Sequence, residues 1–133
     1  EEAVVGVPFP IVDELQSIAE SSGETARLCF HKKLDAQSNL MVITYANGAK
    51  SKIKRHVRRN KVYIIVSGTL DVEIFSDSGK LVESKALSRS SLVVVTVPAG
   101  IFHRTMATSN DTLVVEYLDG PYDDEISDRE YLR

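Results

Sequence analysis

The chain has 133 residues, of which 43% are hydrophobic and 26% are charged, and its formal net charge is −3. This length and composition predict one globular domain with a core of its own. They argue against a general nucleic-acid-binding protein, which is usually strongly basic, and no apolar run approaches the roughly 20 residues that span a bilayer.

The cysteine content bears on the compartment. Cys29 is the single cysteine, so no internal disulfide can form, and we expect a reducing, cytoplasmic environment. No histidine pattern accompanies Cys29, and a core position is expected for it. The first residues contain no apolar segment that is typical of a signal peptide.

The first predicted element is an amphipathic helix over residues 11–21. Apolar residues recur at helical spacing from Ile11 to Ala19, and Gly23 marks the end of the pattern. Residues 1–10 contain two prolines and are predicted to be an irregular lead-in. We expect this to be the only substantial helix and to pack on the outside of the structure that follows.

The rest of the chain carries β signals, in short β-branched or alternating runs separated by Gly, Asn and Asp turns. The nine predicted strands cover residues 26–31, 40–46, 50–56, 61–67, 69–76, 81–87, 92–97, 102–108 and 113–118. This spacing predicts an antiparallel sandwich or a small closed barrel. The predicted organisation is therefore a lead-in and helix (1–25), a barrel (26–118) and an acidic tail (119–133) that packs on the barrel or on a partner.

Charge is concentrated in two segments. Basic residues crowd positions 50–61, and acidic residues crowd positions 119–130. One interpretation is a basic site for an anionic ligand such as a phosphate. The other is a basic strand pair that the acidic tail of the same chain, or of a neighbouring one, neutralises.

Two histidines lie beside turn signals. The apolar run 92–97 is broken by Pro98-Ala99-Gly100, and His103 follows at the start of a returning strand. His56 precedes the strand predicted at 61–67. The segment from Pro98 to His103 resembles the second motif of the cupin superfamily, Pro-x-Gly-x-x-His. The first motif is similar to the segment from Gly48 to Gly68, in which His56 fits the second histidine.

Within the cupins, the chain resembles the WbuC family. The likeness covers about residues 26–125 and includes Arg27-Leu28-Cys29-Phe30-His31 and Glu116-Tyr117-Leu118-Asp119-Gly120-Pro121-Tyr122-Asp123. It implies an all-β, cupin-type jelly-roll β-barrel with one N-terminal α-helix, and a homodimer. It also implies a link to lipopolysaccharide O-antigen or other surface-polysaccharide gene clusters.

The resemblance departs from the cupin pattern at the metal ligands. A cupin metal site uses two histidines and a glutamate from the first motif and a histidine from the second. Lys54 stands at the first histidine position and Lys61 at the glutamate position, which leaves His56 and His103. A protonated lysine has no lone pair and repels a divalent cation. We therefore expect no ordinary cupin metal centre.

An alternative metal set remains open. His31, His56, His103 and Glu116 would hold Zn, Fe, Mn or Ni if all four side chains point inward. Glu116 shares a strand face with Val114 and Leu118, which favours a buried position. The opposing interpretation makes His31 a core histidine and pairs Glu116 with Lys54 or Lys61.

A second interpretation is a cationic pocket. If Lys54, Lys61, His56 and His103 converge, they suit a carboxylate or a phosphate, for example the diphosphate of a sugar-nucleotide. Arg27 and Arg104 would supply forked contacts. Tyr63, Thr105 and Tyr122 are candidate hydrogen-bond donors with structural roles as the alternative. The lysine stems would otherwise cover apolar surface, with their ammonium groups in solvent.

The sequence is therefore compatible with three functions. The first is a WbuC-like enzyme acting on a sugar or sugar-nucleotide, with His56 and His103 as acid–base groups. The second is a non-catalytic module that binds a small anionic ligand. The third is a metallo-cupin with ligands drawn from His31, His56, His103 and Glu116.

Overall fold

The computed structural model describes residues 6–30, 38–119 and 129–132. One helix and ten strands lie in these ranges: α1 (Phe9–Ser22), β1 (Thr25–Cys29), β2 (Ser38–Tyr45), β3 (Lys54–His56), β4 (Lys61–Ser67), β5 (Leu70–Phe75), β6 (Leu81–Leu87), β7 (Val94–Val97), β8 (Phe102–Ala107), β9 (Thr112–Asp119) and β10 (Arg129–Tyr131).

The strands form two five-stranded sheets that face each other. The first sheet has the order β1-β2-β9-β4-β7 and the second has the order β10-β3-β8-β5-β6. Neighbouring strands in both sheets are antiparallel. Successive side chains point to opposite faces, so one face of each strand supplies the core, which includes Ile43, Leu70, Val72 and Val114. The predicted all-β jelly roll with one N-terminal helix is confirmed.

Helix α1 begins earlier than the sequence predicts. Pro8 is the N-cap residue and Pro10 lies in the first turn, where a missing N–H costs nothing. The helix ends at Gly23, whose φ of 70° is left-handed. It packs against β1 and β2 and buries Ala19. In the part of the chain that the structure describes, no helix combines the length and apolar character needed to cross a membrane.

The strand predicted at 50–56 is wrong over its first half. Only Lys54–His56 is a strand, and Lys50 makes one isolated bridge to Met106. The Thr105 N–H donates to the Ser51 hydroxyl at 3.0 Å. A side chain therefore takes the place of a carbonyl in the ladder and interrupts regular pairing.

The segment predicted to be an acidic tail contains a short strand that the sequence analysis does not predict. Residues 129–131 form β10, which pairs with β3 and sets Glu130 opposite Arg55. The Arg55 Nε donates to Glu130 at 2.7 Å. This ion pair is of the kind expected if the tail neutralises the basic segment. Three residues are too few to show a period in the sequence.

The expected core position of Cys29 is also wrong. Cys29 is exposed because it lies at the end of β1, which is an edge strand of the first sheet.

Candidate functional site

The turn over Pro98-Ala99-Gly100 delivers His103 to the interior. It connects β7 of the first sheet to β8 of the second. Gly100 has a φ of 85°, which favours glycine, and its N–H donates to the His56 carbonyl at 2.7 Å. This bond ties the turn to the end of β3. His103 then lies on the inner face of β8 with 1% of its surface exposed.

The two histidines lie close together. Their ring centroids are 6.4 Å apart, and His103 is paired in register with Lys54. Burial, and then the charge of Lys61, lowers the pKa of His103 to about 4, so the ring is neutral at pH 7. Its Nδ1 donates to the Ile101 carbonyl at 3.0 Å. The buried Nε2 therefore presents a lone pair, and it has no hydrogen-bond partner among the described residues.

A buried ion pair lies on the first sheet. The Lys61 Nζ is 3.0 Å from the Glu116 Oε1, and the two side chains are 2% and 7% exposed. Glu116 is opposite Tyr63, so Lys61 lies diagonally across the same inner face. Of the two alternatives left by the sequence, the structure shows Glu116 paired with Lys61.

Each charge of this pair favours the ionised form of the other residue. Burial lowers the pKa of Lys61, while Glu116 opposes that change. Burial alone raises the pKa of the Glu116 carboxyl, but Lys61 and Lys54 outweigh burial and hold it below its usual value. Burial, and then Glu116, raises the pKa of Tyr63, which hydrogen-bonds to Glu116 as a protonated phenol.

These side chains do not suit a divalent cation. Among the described residues, no group of three or more His, Cys, Asp or Glu side chains is placed to hold a metal ion. The Glu116 carboxylate is occupied by the Lys61 ammonium, and Lys54 is paired in register with His103. Ammonium groups offer no lone pair to a metal. His31, the fourth residue of the alternative metal set, lies outside the described residues.

A cavity of about 620 Å³ opens beside this ion pair, bounded by β1, the 48–52 loop and β10. Among the described residues, its charged lining consists of six basic and two acidic side chains: Arg27, Lys50, Lys52, Lys54, Lys61 and Arg129, and Glu24 and Glu116. Glu116 is already neutralised by Lys61. The rest of the lining that the structure describes therefore carries an excess of basic groups.

The deep wall of the cavity carries hydroxyl groups. Tyr45 and Thr105 are 4% and 2% exposed, and their hydroxyl oxygens are 3.1 Å apart. Tyr45 is not among the residues predicted from the sequence, although it shares its strand face with Met41 and Ile43.

Half-buried Lys54 also lines the cavity. Burial, and then the charge of Lys61, lowers its pKa to about 7.

The structure brings together part of the predicted set. The predicted residues that line the cavity are Arg27, Lys54, Lys61, Tyr63, Thr105 and Glu116. His56 and His103 are buried behind this lining and are not among the described residues that form it. Tyr122 lies outside the described residues.

Arg104 is placed away from the cavity. Strand alternation turns it to the face opposite His103 and Thr105. There its Nη2 lies 2.9 Å from Glu73 Oε1, and its guanidinium lies 5.3 Å from the centroid of the Phe75 ring. The expected forked contact from Arg104 to a pocket ligand is therefore not supported by its position.

Two facing antiparallel sheets around a central pocket define a jelly roll of the cupin type. No protein-family model and no curated protein matches the chain, whereas solved structures do. The capsular polysaccharide assembling protein CapF from Staphylococcus aureus is similar with a TM-score of 0.69 and 19% identity, covering 83% of this chain and 30% of that chain.

Two further structures show the same fold. KdgF from Halomonas sp. has a TM-score of 0.59 and 20% identity, covering 77% of this chain and 85% of that chain. Oxalate oxidase with the substrate analogue glycolate has a TM-score of 0.61 and 15% identity, covering 83% of this chain and 56% of that chain. These identities show the cupin-type fold alone, and the chain spans less than a third of CapF. The resemblance to the WbuC family stays a prediction.

Proposed function

We propose that this chain binds a small anionic molecule in its barrel pocket, and that the ligand is an anionic sugar derivative, such as a sugar-nucleotide of surface-polysaccharide biosynthesis. The basic excess in the lining of the 620 Å³ cavity carries this proposal. A cleft lined by one sign of charge, with low-dielectric walls, concentrates ions of the opposite sign. The volume lies within the range of roughly 300–1,000 Å³ that is typical of small-molecule sites.

The compared proteins support the ligand class. CapF from Staphylococcus aureus is a capsular polysaccharide assembling protein. The oxalate oxidase structure holds glycolate, a small carboxylate. The polysaccharide link also follows from the resemblance to the WbuC family.

The experiment is a titration of UDP against the protein by isothermal calorimetry, at low and at moderate salt. The Arg27→Gln/Lys52→Gln variant removes two exposed charges from the lining, and we expect UDP to bind it at least tenfold more weakly. The matched control is Lys85→Gln, since Lys85 is exposed and is not part of the described cavity lining. Equal binding by all three proteins, or no saturable binding of UDP, would count against an anion site.

One observation favours catalysis as a second candidate. The buried Nε2 of His103 has a lone pair and no hydrogen-bond partner among the described residues, and because the ring lies behind the described lining, it would exchange a proton with a ligand only through an intervening group. In that case incubation with a sugar-nucleotide yields a product detectable by mass spectrometry, and His103→Gln abolishes it while the fold survives. Saturable binding of a ligand that is recovered unchanged would instead favour a non-catalytic binding module.

A further inference from the structure

The two ends of the pocket differ in chemistry. Tyr45, Tyr63 and Thr105 are at most 4% exposed and form the deep wall. Arg27 and Lys52 line the same cavity but are exposed, so they lie at its mouth. Hydroxyl groups and the neutral Lys61–Glu116 pair therefore line the inner end of the pocket, and exposed cationic groups line its outer end.

The deep wall offers hydrogen-bond acceptors to a ligand. The Tyr45 and Thr105 hydroxyls are linked at 3.1 Å, and the Thr105 hydroxyl donates to the Ser51 hydroxyl at 3.4 Å. Each hydroxyl has one donor and two acceptor positions, so these internal bonds leave acceptor sites unused. A sugar hydroxyl can donate to these acceptor sites. A phosphate only accepts, and it gains little from this wall.

The Glu116 carboxylate adds a directional effect. It lines the deep part of the cavity, where Lys61 neutralises it at 3.0 Å. Because the pair is neutral overall, an anion placed there would lose hydration without gaining a net positive charge in return, which is unfavourable. The mouth offers the opposite, because the Arg27 guanidinium can form two parallel bonds to phosphate oxygens.

We propose that the pocket binds a phosphorylated sugar in one orientation, with the sugar hydroxyls against Tyr45 and Thr105 and the phosphate at Arg27 and Lys52. This inference rests on the proposed function, since it assumes an anionic ligand. It adds that the buried wall discriminates between different sugars, whereas the mouth binds the phosphate whichever sugar is attached. A ligand with phosphate alone binds, and the attached sugar increases the affinity.

The test compares UDP with UDP-glucose, UDP-galactose and UDP-N-acetylglucosamine by isothermal calorimetry. Tyr45→Phe removes one hydroxyl and keeps the ring. We expect it to weaken the best sugar-nucleotide by about fivefold, the equivalent of one hydrogen bond, and to leave UDP unchanged. Arg27→Gln should weaken UDP and the sugar-nucleotide by the same factor. Thr105→Val provides a second deep-wall variant if Tyr45→Phe fails to fold.

The outcomes separate this inference from the proposed function. If UDP binds but no UDP-sugar binds more tightly, or if Tyr45→Phe weakens both ligands alike, the orientation is wrong while the anion site stands. If Lys54→Gln weakens UDP binding and Arg27→Gln does not, the phosphate lies inward and the orientation is again wrong. If no ligand binds, the proposed function fails and this inference fails with it.

Discussion

Replacing Lys61 by methionine removes one partner of a buried ion pair and leaves the other in place. The remaining Glu116 is 6% exposed and loses the ammonium that lies 3.0 Å away. Breaking a pair of this kind costs about 3–5 kcal/mol, because an uncompensated charge stays in a low-dielectric interior. We expect Lys61→Met and Glu116→Leu each to lower the free energy of unfolding by about this amount.

The double variant Lys61→Met/Glu116→Leu removes both charges together. Buried pairs replaced by apolar residues of similar volume are often as stable as the original, or more stable. Tyr63 loses its hydrogen-bond partner in this variant, which costs about 1–3 kcal/mol. We therefore expect the double variant to lie within about 2 kcal/mol of the original protein and above both single variants.

Urea unfolding at pH 7, followed by circular dichroism, gives the four free energies of the cycle. Lys85→Met is the matched control, because Lys85 lies 2.7 Å from Glu83 but the two side chains are 46% and 52% exposed. Such exposed pairs contribute about 0–1 kcal/mol. A double variant whose loss equals the sum of the two single losses would contradict this expectation, since the two charges would then act independently.

Three further predictions concern the turn, the histidine and the second lysine. Gly68→Ala should lower the free energy of unfolding by more than Gly48→Ala does. Both glycines have positive φ, but an added Cβ at Gly68 would lie 2.6 Å from the Thr112 Cα, whereas nothing lies within 4 Å at Gly48; equal losses in urea unfolding would count against this. Burial lowers the pKa of His103 to about 4 in the folded chain, whereas a histidine in the unfolded chain has a pKa of about 6.5. Between pH 4 and pH 6.5, therefore, only the unfolded chain binds a proton at this side chain. Stability should therefore fall by about 3 kcal/mol as pH drops through that window, and unfolding curves of His103→Asn should lack this part of the slope. Acetylation of Lys54, measured by mass spectrometry across pH, should rise with a midpoint near pH 7, because burial and then Lys61 lowers its pKa to about 7; a midpoint near the usual lysine value would mean that Lys54 is more solvated than its position implies.

Local sequence patterns predict the strands that lie beside glycine turns. The predicted bounds 61–67 and 81–87 are those of β4 and β6. Gly68 directly follows β4 and Gly79 lies two residues before β6, and both glycines have positive φ. A short run of strand-forming residues beside a residue that permits a left-handed turn is a complete local signal. Residues 129–131 have no such signal, because their strand exists only through pairing with β3.

Strand parity also predicts which way a side chain points. Lys61 shares its face with Tyr63 and Ile65, all buried, and Glu116 shares its face with Val114 and Leu118. The same alternation places the Arg104 and His103 side chains on opposite faces of β8, so the position of Arg104 away from the cavity lining could have been predicted.

Parity does not identify partners across the sheets. Tyr45 and Thr105 are 60 residues apart and belong to different sheets. Their hydrogen bond depends on how the two sheets are aligned, which the local pattern of either strand does not contain. The hydroxyl-bearing wall therefore forms only in the folded chain.

The placement of charge in the interior determines which ion the pocket attracts. Lys61 and Glu116 cancel each other within the buried wall, so neither sign is in excess there. The basic excess comes from the lysines and arginines nearer the mouth, of which Arg27 and Lys52 are exposed. A cation entering the pocket would pass these groups and meet a carboxylate that is already paired. An anion is attracted by the basic groups at the mouth, and the neutral buried wall offers it no further attraction. The wall is therefore suited to an uncharged, hydroxyl-rich group.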